Sequence, residues 1–336
     1  METALTNSEN AALKCVWQHE AHSRSDIARL LHLSRPTASL LVRSLISKKM
    51  ITEDGSRRPS GGKPAIQLKI DPGCFHSIGI DIGYEDSVRA LLLDAAGNIL
   101  DRAEVPASSS YSDRVSAILK AVGKLRTPVT CGVGLAISGT VDPLSNRIIY
   151  SAHFELTGKP LAQEISGAAG LPVYIDNRAR MAARAEMFAG AASGVSDFLL
   201  VSLGKGIGSA LSLAGKLYCG VSGKAGEIRN ITVPDYSGCG FTTFERALSG
   251  DILEQQDYPF RKMAEICASG FRQVLNIADI RVVILSGRFA LFPETVREEL
   301  QQFLPESDLR LSQFGRDSGA CGSAVAAAEY AVFSKP

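Results

Sequence analysis

Val173-Tyr174-Ile175-Asp176-Asn177-Arg178-Ala179-Arg180-Met181-Ala182-Ala183-Arg184-Ala185-Glu186 reads as a strand that runs directly into a helix. Working outward, the same grammar recurs on both sides. Ser77 to Gly83 is a buried strand ending in a tight Asp-x-Gly turn, and Ala90 to Asp94, followed by Ala96-Gly97-Asn98, supplies its hairpin partner. Val133 to Ile137 leads into Ser138-Gly139-Thr140-Val141-Asp142, and Phe198 to Ser202 precedes Gly204-Lys205-Gly206-Ile207-Gly208. Val282 to Leu285 reaches Ser286-Gly287, and a helix of small residues over 315–332 closes the chain. Strands alternating with helices predict an α/β body from residue 73 onward.

Bulk properties fit that body. With 336 residues, 45% hydrophobic and 21% charged, the chain can bury two or three cores and is not disordered. No run approaches the roughly 20 apolar residues that cross a bilayer, and Met1-Glu-Thr-Ala-Leu-Thr6 lacks the blocks of a signal peptide, so a cytoplasmic protein without a membrane partner is expected. Seven scattered cysteines without a Cys-x-x-Cys pair argue against a disulfide framework or a zinc knuckle. Net charge is +1, yet residues 1–70 hold eleven Lys and Arg against six Asp and Glu, while the remainder holds 25 against 29. A basic head on an acidic body suits a protein whose head alone meets a polyanion.

The head carries its own pattern. Residues 8–19 form a first helix with Ala11, Leu13, Val16 and Trp17 on one face. Ser23 stands three before Asp26 as in a capping box, and Ile27, Leu30 and Leu31 follow at helical spacing. After a short turn Ser34 is an N-cap, Pro36 fits the first turn, and Ala38, Leu41, Val42 and Leu45 repeat as an apolar stripe. Two helices joined by so tight a turn predict a helix-turn-helix, with Ser34, Arg35, Thr37, Ser39, Leu40 and Arg43 off the packed stripe. Arg35 and Thr37, near the N-terminus, are the candidates for base edges. Residues 51–68 read as two strands around a basic glycine-rich tip, a wing from which Arg57, Arg58 and Lys63 can reach phosphates or a narrow minor groove. The plainer alternative is a helical hairpin with a linker.

The order of these turns carries a resemblance. Asp81-Ile82-Gly83, Ser138 to Asp142, the segment around Asn177, Gly204 to Gly208, Lys224-Ala225-Gly226-Glu227-Ile228 and the wing's Gly61-Gly-Lys-Pro-Ala65 are similar to the ROK family (repressors, open reading frames and sugar kinases), in particular its repressor branch, over nearly the whole chain. The resemblance implies a winged helix-turn-helix followed by a two-lobed actin-like (RNase H-like) domain: residues 1–70 the head, 71–190 with 316–336 the first lobe, and 191–315 the second. In its kinases an Asn-Asp pair follows the central strand, and the Asp takes the sugar hydroxyl proton. Here the pair is Asn177-Arg178. A guanidinium stays protonated, and loss of a general base removes about 10²–10⁴-fold in rate.

Other departures agree. Where active members continue Asp-x-Gly-Gly-Thr, this chain has Tyr84-Glu85-Asp86; a carboxylate at 4 Å from a phosphate charge costs about 4 kcal/mol at an effective dielectric near 20. Of the family's zinc ligands only Cys239 remains, with Asn230 at the histidine position and Ser237-Gly238-Cys239-Gly240 in the cysteine run, so no metal and no cofactor is expected. By the resemblance, Glu227, Glu245, Asn177 and Asn230 are sugar-contacting groups, Gly139 lets backbone approach the ring, and His153 lies near another such position. Arg178, with Arg180 and Arg229 near cleft positions in sequence, leaves two readings open. Either Arg178 grips a phosphorylated or acidic sugar, or it pairs with Glu227 or Asp81 and plugs a dead site.

These features predict a non-enzymatic regulator, probing double-stranded operator DNA as a homodimer or dimer of dimers and sensing a carbohydrate-related effector. Dimerisation follows from half-sites about 34 Å apart or a multiple of that. The alternatives are an active sugar kinase, with Asp176 as the base, and an effector-independent DNA-binding protein.

Overall fold

Short polar side chains at the head's helix ends satisfy backbone N–H groups that a helix leaves unpaired. Thr6 caps α1 (Asn7–Trp17) in a reciprocal box with Glu9, Ser23 caps α2 (Arg24–Leu30), and Ser34 caps α3 (Arg35–Ser47), with Pro36 in the first turn. The Asp26 carboxylate accepts from the His22 N–H at 3.2 Å, where a capping box would take the Ser23 N–H. The wing strands β1 (Ile51–Asp54) and β2 (Gln67–Ile70) pair antiparallel, Ile51 opposite Ile70. This computed structural model describes residues 5–55, 66–84, 86–142, 145–151, 154–204, 206–235, 240–248, 260–291 and 293–334. The wing-tip residues Arg57, Arg58 and Lys63 lie outside that set, as do Glu85, His153, Lys205 and Ser237 to Cys239.

The body begins with β3 (His76–Asp81), β4 (Ser87–Asp94), β5 (Ile99–Pro106), α4 (Tyr111–Leu125) and β6 (Thr130–Ile137). A hairpin of β7 (Gly139–Asp142) and β8 (Arg147–Ser151), then α5 (Leu161–Ala169), leads to β9 (Val173–Asn177) and α6 (Arg178–Ala189). The first sheet has the order β5-β4-β3-β6-β9, with β6 and β9 parallel to β3. Next come β10 (Phe198–Leu203), β11 (Ile207–Leu213), β12 (Lys216–Leu217), the small hairpin β13 (Thr232–Pro234) and β14 (Phe241–Thr243), α7 (Phe244–Leu248) and α8 (Phe260–Ala278). Then β15 (Val282–Gly287), α9 (Pro293–Phe303) and β16 (Asp308–Leu311) complete the second sheet, ordered β12-β11-β10-β15-β16. Both sheets are thus an antiparallel meander extended by two parallel strands, the same unit built twice.

The last helix, α10 (Ser318–Ala328), returns to the first sheet and explains its small residues. A Cβ at Gly79 would stand 1.8 Å from the Ala320 carbonyl oxygen, and one at Gly134 1.9 Å from that of Ser323, so helix and sheet approach closer than side chains allow. Helix α6 lies between the halves: Ala179, Ala182 and Ala183 pack with Phe198, Leu200, Ala210 and Ile284 of the second sheet, and Met181 packs with Ala136 and Ala326 on the first side. At its end the fully buried Glu186 accepts from the Ala191 N–H (2.8 Å), Ser312 Oγ (2.6 Å) and the Gln313 N–H (3.0 Å), pinning both segments that cross between the lobes.

The head is joined to the body through one continuous core. Leu13, Val16, Ile27, Val42, Leu45 and Leu68 share it with Phe75, Leu93, Ala324, Val325 and Ala328. Trp17, the only tryptophan, stands at the junction with ring centroids 5.0 Å from Phe188 and 4.9 Å from Phe333. No helix among the described residues is long and apolar enough to cross a membrane.

Candidate functional site

The strand-to-helix junction at Asn177 and Arg178 lies at the carboxyl ends of β3, β6 and β9, where parallel strands present their loops. Asn177 caps α6, its Oδ1 accepting from the N–H groups of Ala179 (2.8 Å) and Arg180 (3.3 Å), while its Nδ2 donates to the Gly139 carbonyl at 2.8 Å. The second amide hydrogen of Asn177 has no partner among the described residues. Gly139 has a structural reason of its own: a Cβ there would meet the Tyr150 carbonyl oxygen at 2.1 Å, across the β7–β8 ladder.

Arg178 turns back into the first lobe. Its Nε donates to Asp81 Oδ2 at 2.7 Å, and the Gly83 N–H donates to Asp81 Oδ1 at 2.9 Å. Asp81 is 1% exposed and the Arg178 side chain 37%, so the pair joins a buried carboxylate to a partly exposed guanidinium. The Asp81 charge holds the guanidinium further above its usual range, burial working against it. Two cations stand over the Tyr84 ring, with Arg89 Cζ 3.9 Å and Arg178 Cζ 4.7 Å from its centroid, and its hydroxyl donates to the Arg316 carbonyl at 3.3 Å. The first glycine turn is thus lined by the protein's own ring and guanidinium. Asp86 is exposed, which relieves the repulsion argued from its position.

Of the two partners open for Arg178, the structure selects Asp81. Glu227 is half-buried and pairs with Arg229 at 2.8 Å instead. Arg180 does not face the cleft: 3% exposed, it donates from Nε to Asp176 at 2.8 Å and from Nη1 to the Gly223 carbonyl at 2.8 Å. Asp176 is buried in that pair.

In the second lobe Glu245, on α7, sits over the glycine turn that precedes β11, accepting from the Ile207 N–H at 3.4 Å. A Cβ on Gly206 would come within 2.5 Å of its Oε1. Asn230 is exposed at the end of a 3-10 turn, Ile228–Asn230. Among the described residues no hydrogen bond or ion pair joins Gly139, Asn177 and Arg178 to Glu227, Asn230 and Glu245; the contact between the groups is made by α6 against β11 and the Gly223 loop. No cluster of three His, Cys, Asp or Glu able to hold a metal occurs among the described residues.

On the head, Ala38, Val42 and Leu45 are buried, while Ser34, Arg35, Thr37 and Arg43 are exposed and Ser39 is half-buried. Ser34 is committed to the cap, and its Oγ lies 2.8 Å from the Thr37 hydroxyl. Arg35 makes no ion pair with a described residue. Two features escaped sequence reasoning. Glu9, 5% exposed, pairs with Lys48 at 2.8 Å and accepts from Ser44, tying α1 to α3; burial raises its pKa, but these bonds and those to Thr6 outweigh it and hold the carboxyl at about 2. The Thr6-x-x-Glu9 spacing was a usable signal for the cap, whereas nothing local announces the contact of Tyr84 with Arg89 and Arg178.

A winged helix-turn-helix fused to a duplicated, kinase-like body defines a class, and comparison with known proteins agrees. Residues 5–54 match the MarR family and residues 77–258, more than half the chain, match the ROK family. The chain belongs to the ROK family. It is 27% identical over 241 residues to a xylose repressor of Caldicellulosiruptor bescii, an alignment that covers 68% of this chain and 60% of that protein. The chain therefore spans about 60% of the length of the curated relatives it matches. A ROK family glucokinase from Streptomyces griseus, solved with glucose and AMPPNP, superposes with a TM-score of 0.65 at 25% identity, covering 76% of this chain and 99% of that one. A ROK family transcriptional regulator, a homolog of the E. coli MLC protein, gives 0.75 at 18% identity with 97% and 96% covered, a likeness of fold that includes the head.

Proposed function

We propose that this protein is a transcriptional repressor whose body is a catalytically silent sugar sensor. The observation that carries the reading is the Arg178–Asp81 pair: a permanent cation, fastened to a buried carboxylate at 2.7 Å, fills the position at which a sugar kinase of this family needs a base. Head and body then have separate tasks: Arg35 and Thr37 face base edges, with Ser34, Ser39 and Arg43 also on the DNA side and Arg57, Arg58 and Lys63 reaching phosphates or a narrow minor groove, and Gly139, Asn177, Arg178, Glu227, Asn230 and Glu245 surround the effector. We take residues 1–70, 71–190 with 316–336, and 191–315 as the three units, and a homodimer as the form that reads two half-sites.

Pairing with Asp81 uses the Arg178 charge locally, which favours a plug over a clamp for an anionic effector. Calorimetry with a neutral sugar and its phosphate separates the two, since a clamp requires the phosphate to bind more tightly. The relatives that bear the name xylose repressor make a pentose the first compound in the panel.

Transmission has a route. Helix α6 starts at Arg178 and carries Phe188 ten residues, or about 15 Å, further on, where Phe188 meets Trp17 of the head. Helix α10 starts beside the same cleft, a Cβ on Gly319 lying 2.5 Å from Asp81 Oδ2, and its continuation carries Val332, whose carbonyl accepts from Asn10 at 3.0 Å. Lobe closure on an effector would shift both helices and reorient the head, so effector and operator affinities are linked reciprocally.

A coupled ATP assay tests the silence: sugar-dependent turnover above about 1 s⁻¹ overturns it. A thermal-shift sugar panel tests the sensing, because a ligand at 100 times its dissociation constant stabilises by about 2.7 kcal/mol. No response to any sugar would favour the effector-independent alternative.

A further inference from the structure

The surface of α3 that faces away from the head core carries one exposed large aliphatic side chain. Arg35, Thr37 and Arg43 are exposed and hydrophilic, yet Leu40, between Thr37 and Arg43 on the same side, is 61% exposed. Its neighbours Ala38 and Val42 are fully buried, so the stripe that packs the helix is complete without it. We infer that Leu40 reads the C5-methyl group of a thymine in the major groove. This assignment rests on the DNA-binding reading above and names part of what that surface recognises.

The chemistry leaves one choice. Leucine neither donates nor accepts a hydrogen bond, and the thymine methyl is the one apolar group that a base pair offers in the major groove. Against guanine, adenine or cytosine the side chain would cover donors or acceptors without pairing them, which is unfavourable. Against thymine it removes two apolar surfaces from water. Position fits as well. Leu40 sits in the second turn, one turn beyond Arg35 and Thr37, in the N-terminal half that approaches base edges in helix-turn-helix proteins.

The test is a double-mutant cycle between side chain and methyl. The full-length protein first enriches duplexes from a random library, and each thymine of an enriched duplex is then replaced by deoxyuridine, which deletes only the methyl. At one thymine per half-site the wild type should lose about fourfold in affinity, equal to about 0.8 kcal/mol for one buried methyl group. Leu40→Ala should lose a similar factor on the thymine duplex and be indifferent to deoxyuridine there. Because Leu40 is exposed and alanine favours helix, the variant should melt with the wild type. Enrichment followed by equal deoxyuridine losses for both proteins at every position overturns the role of Leu40 and leaves DNA binding intact. Failure of the wild type to enrich any duplex overturns both.

Discussion

Replacing Arg178 with methionine removes the cation, keeps comparable length and leaves Asp81, 1% exposed, to the Gly83 N–H at 2.9 Å. Stranding one partner of a buried pair costs roughly 3–5 kcal/mol. Arg178 is 37% exposed, so water reaches its side of the pair and the lower end, about 3 kcal/mol, is expected at neutral pH. Asp81→Asn should cost less, since the charge it strands is the partly exposed guanidinium, although its amide keeps one acceptor oxygen where the carboxylate used two. The double variant Asp81→Asn/Arg178→Met should recover about 1–2 kcal/mol relative to the sum of the singles, because contacting groups are coupled. Urea unfolding followed by far-ultraviolet circular dichroism gives all four values. Additivity, or a single Arg178→Met cost below about 0.5 kcal/mol, would refute the claim that this pair is a structural plug. The same variant should show no sugar-dependent ATP turnover, since deleting the cation supplies no base.

Three further outcomes follow from other parts of the structure. Glu9, held at about 2 when folded against an ordinary 4.5, contributes stability that is fully present above about pH 4.5 and is lost as pH falls toward 2. That difference is worth about 3 kcal/mol, so Glu9→Gln should lower head stability at pH 7 by up to that amount and flatten the acid limb of a stability–pH curve. Since Trp17 is the only tryptophan and touches Phe188, effector binding should change its emission, and Phe188→Ala should abolish the change while sugar still binds by calorimetry. Arg35→Ala should cost about 1–3 kcal/mol at one base pair, whereas Arg57→Ala or Arg58→Ala should weaken all sequences alike; a uniform loss from Arg35→Ala would make it a phosphate contact.

How much of this was legible depended on whether the signal is local. Caps and apolar spacing are properties of a few neighbouring residues, and they located α3 with Ser34 as its N-cap and the wing strands within residues 51–68, where the second strand in fact runs on to Ile70. The strand-to-helix junction at Asn177 was equally readable, since a β-prone run gives way there to helix formers. The partner of Arg178 was not. Asp81 is 97 residues away, and Glu227 was an equal candidate until Arg229, two positions on, proved to hold it. Arg180 was grouped with the cleft, and its pairing with Asp176, four positions back across the strand-to-helix junction, shows only once the strand and the helix are both in place.

The junction of head and body was least legible, and it matters most for signalling. Each residue there has an ordinary local reason to be apolar: Trp17 lies on the face of α1, Phe188 at the end of α6, and Phe333 near the terminus. Only the fold makes them one cluster. A flexible tether would let the head move independently of the lobes, and a change in the lobes would then have no packed path to α3. A shared core forbids that independence, because packed interiors switch between discrete arrangements and do not deform smoothly. Any shift of α6 at Arg178 large enough to admit a ligand must be absorbed either by sliding against α10, where small residues and close backbone contact leave little room, or by repacking around Trp17. The second route has side chains that can change rotamer, so the head is where the strain of effector binding is expected to emerge.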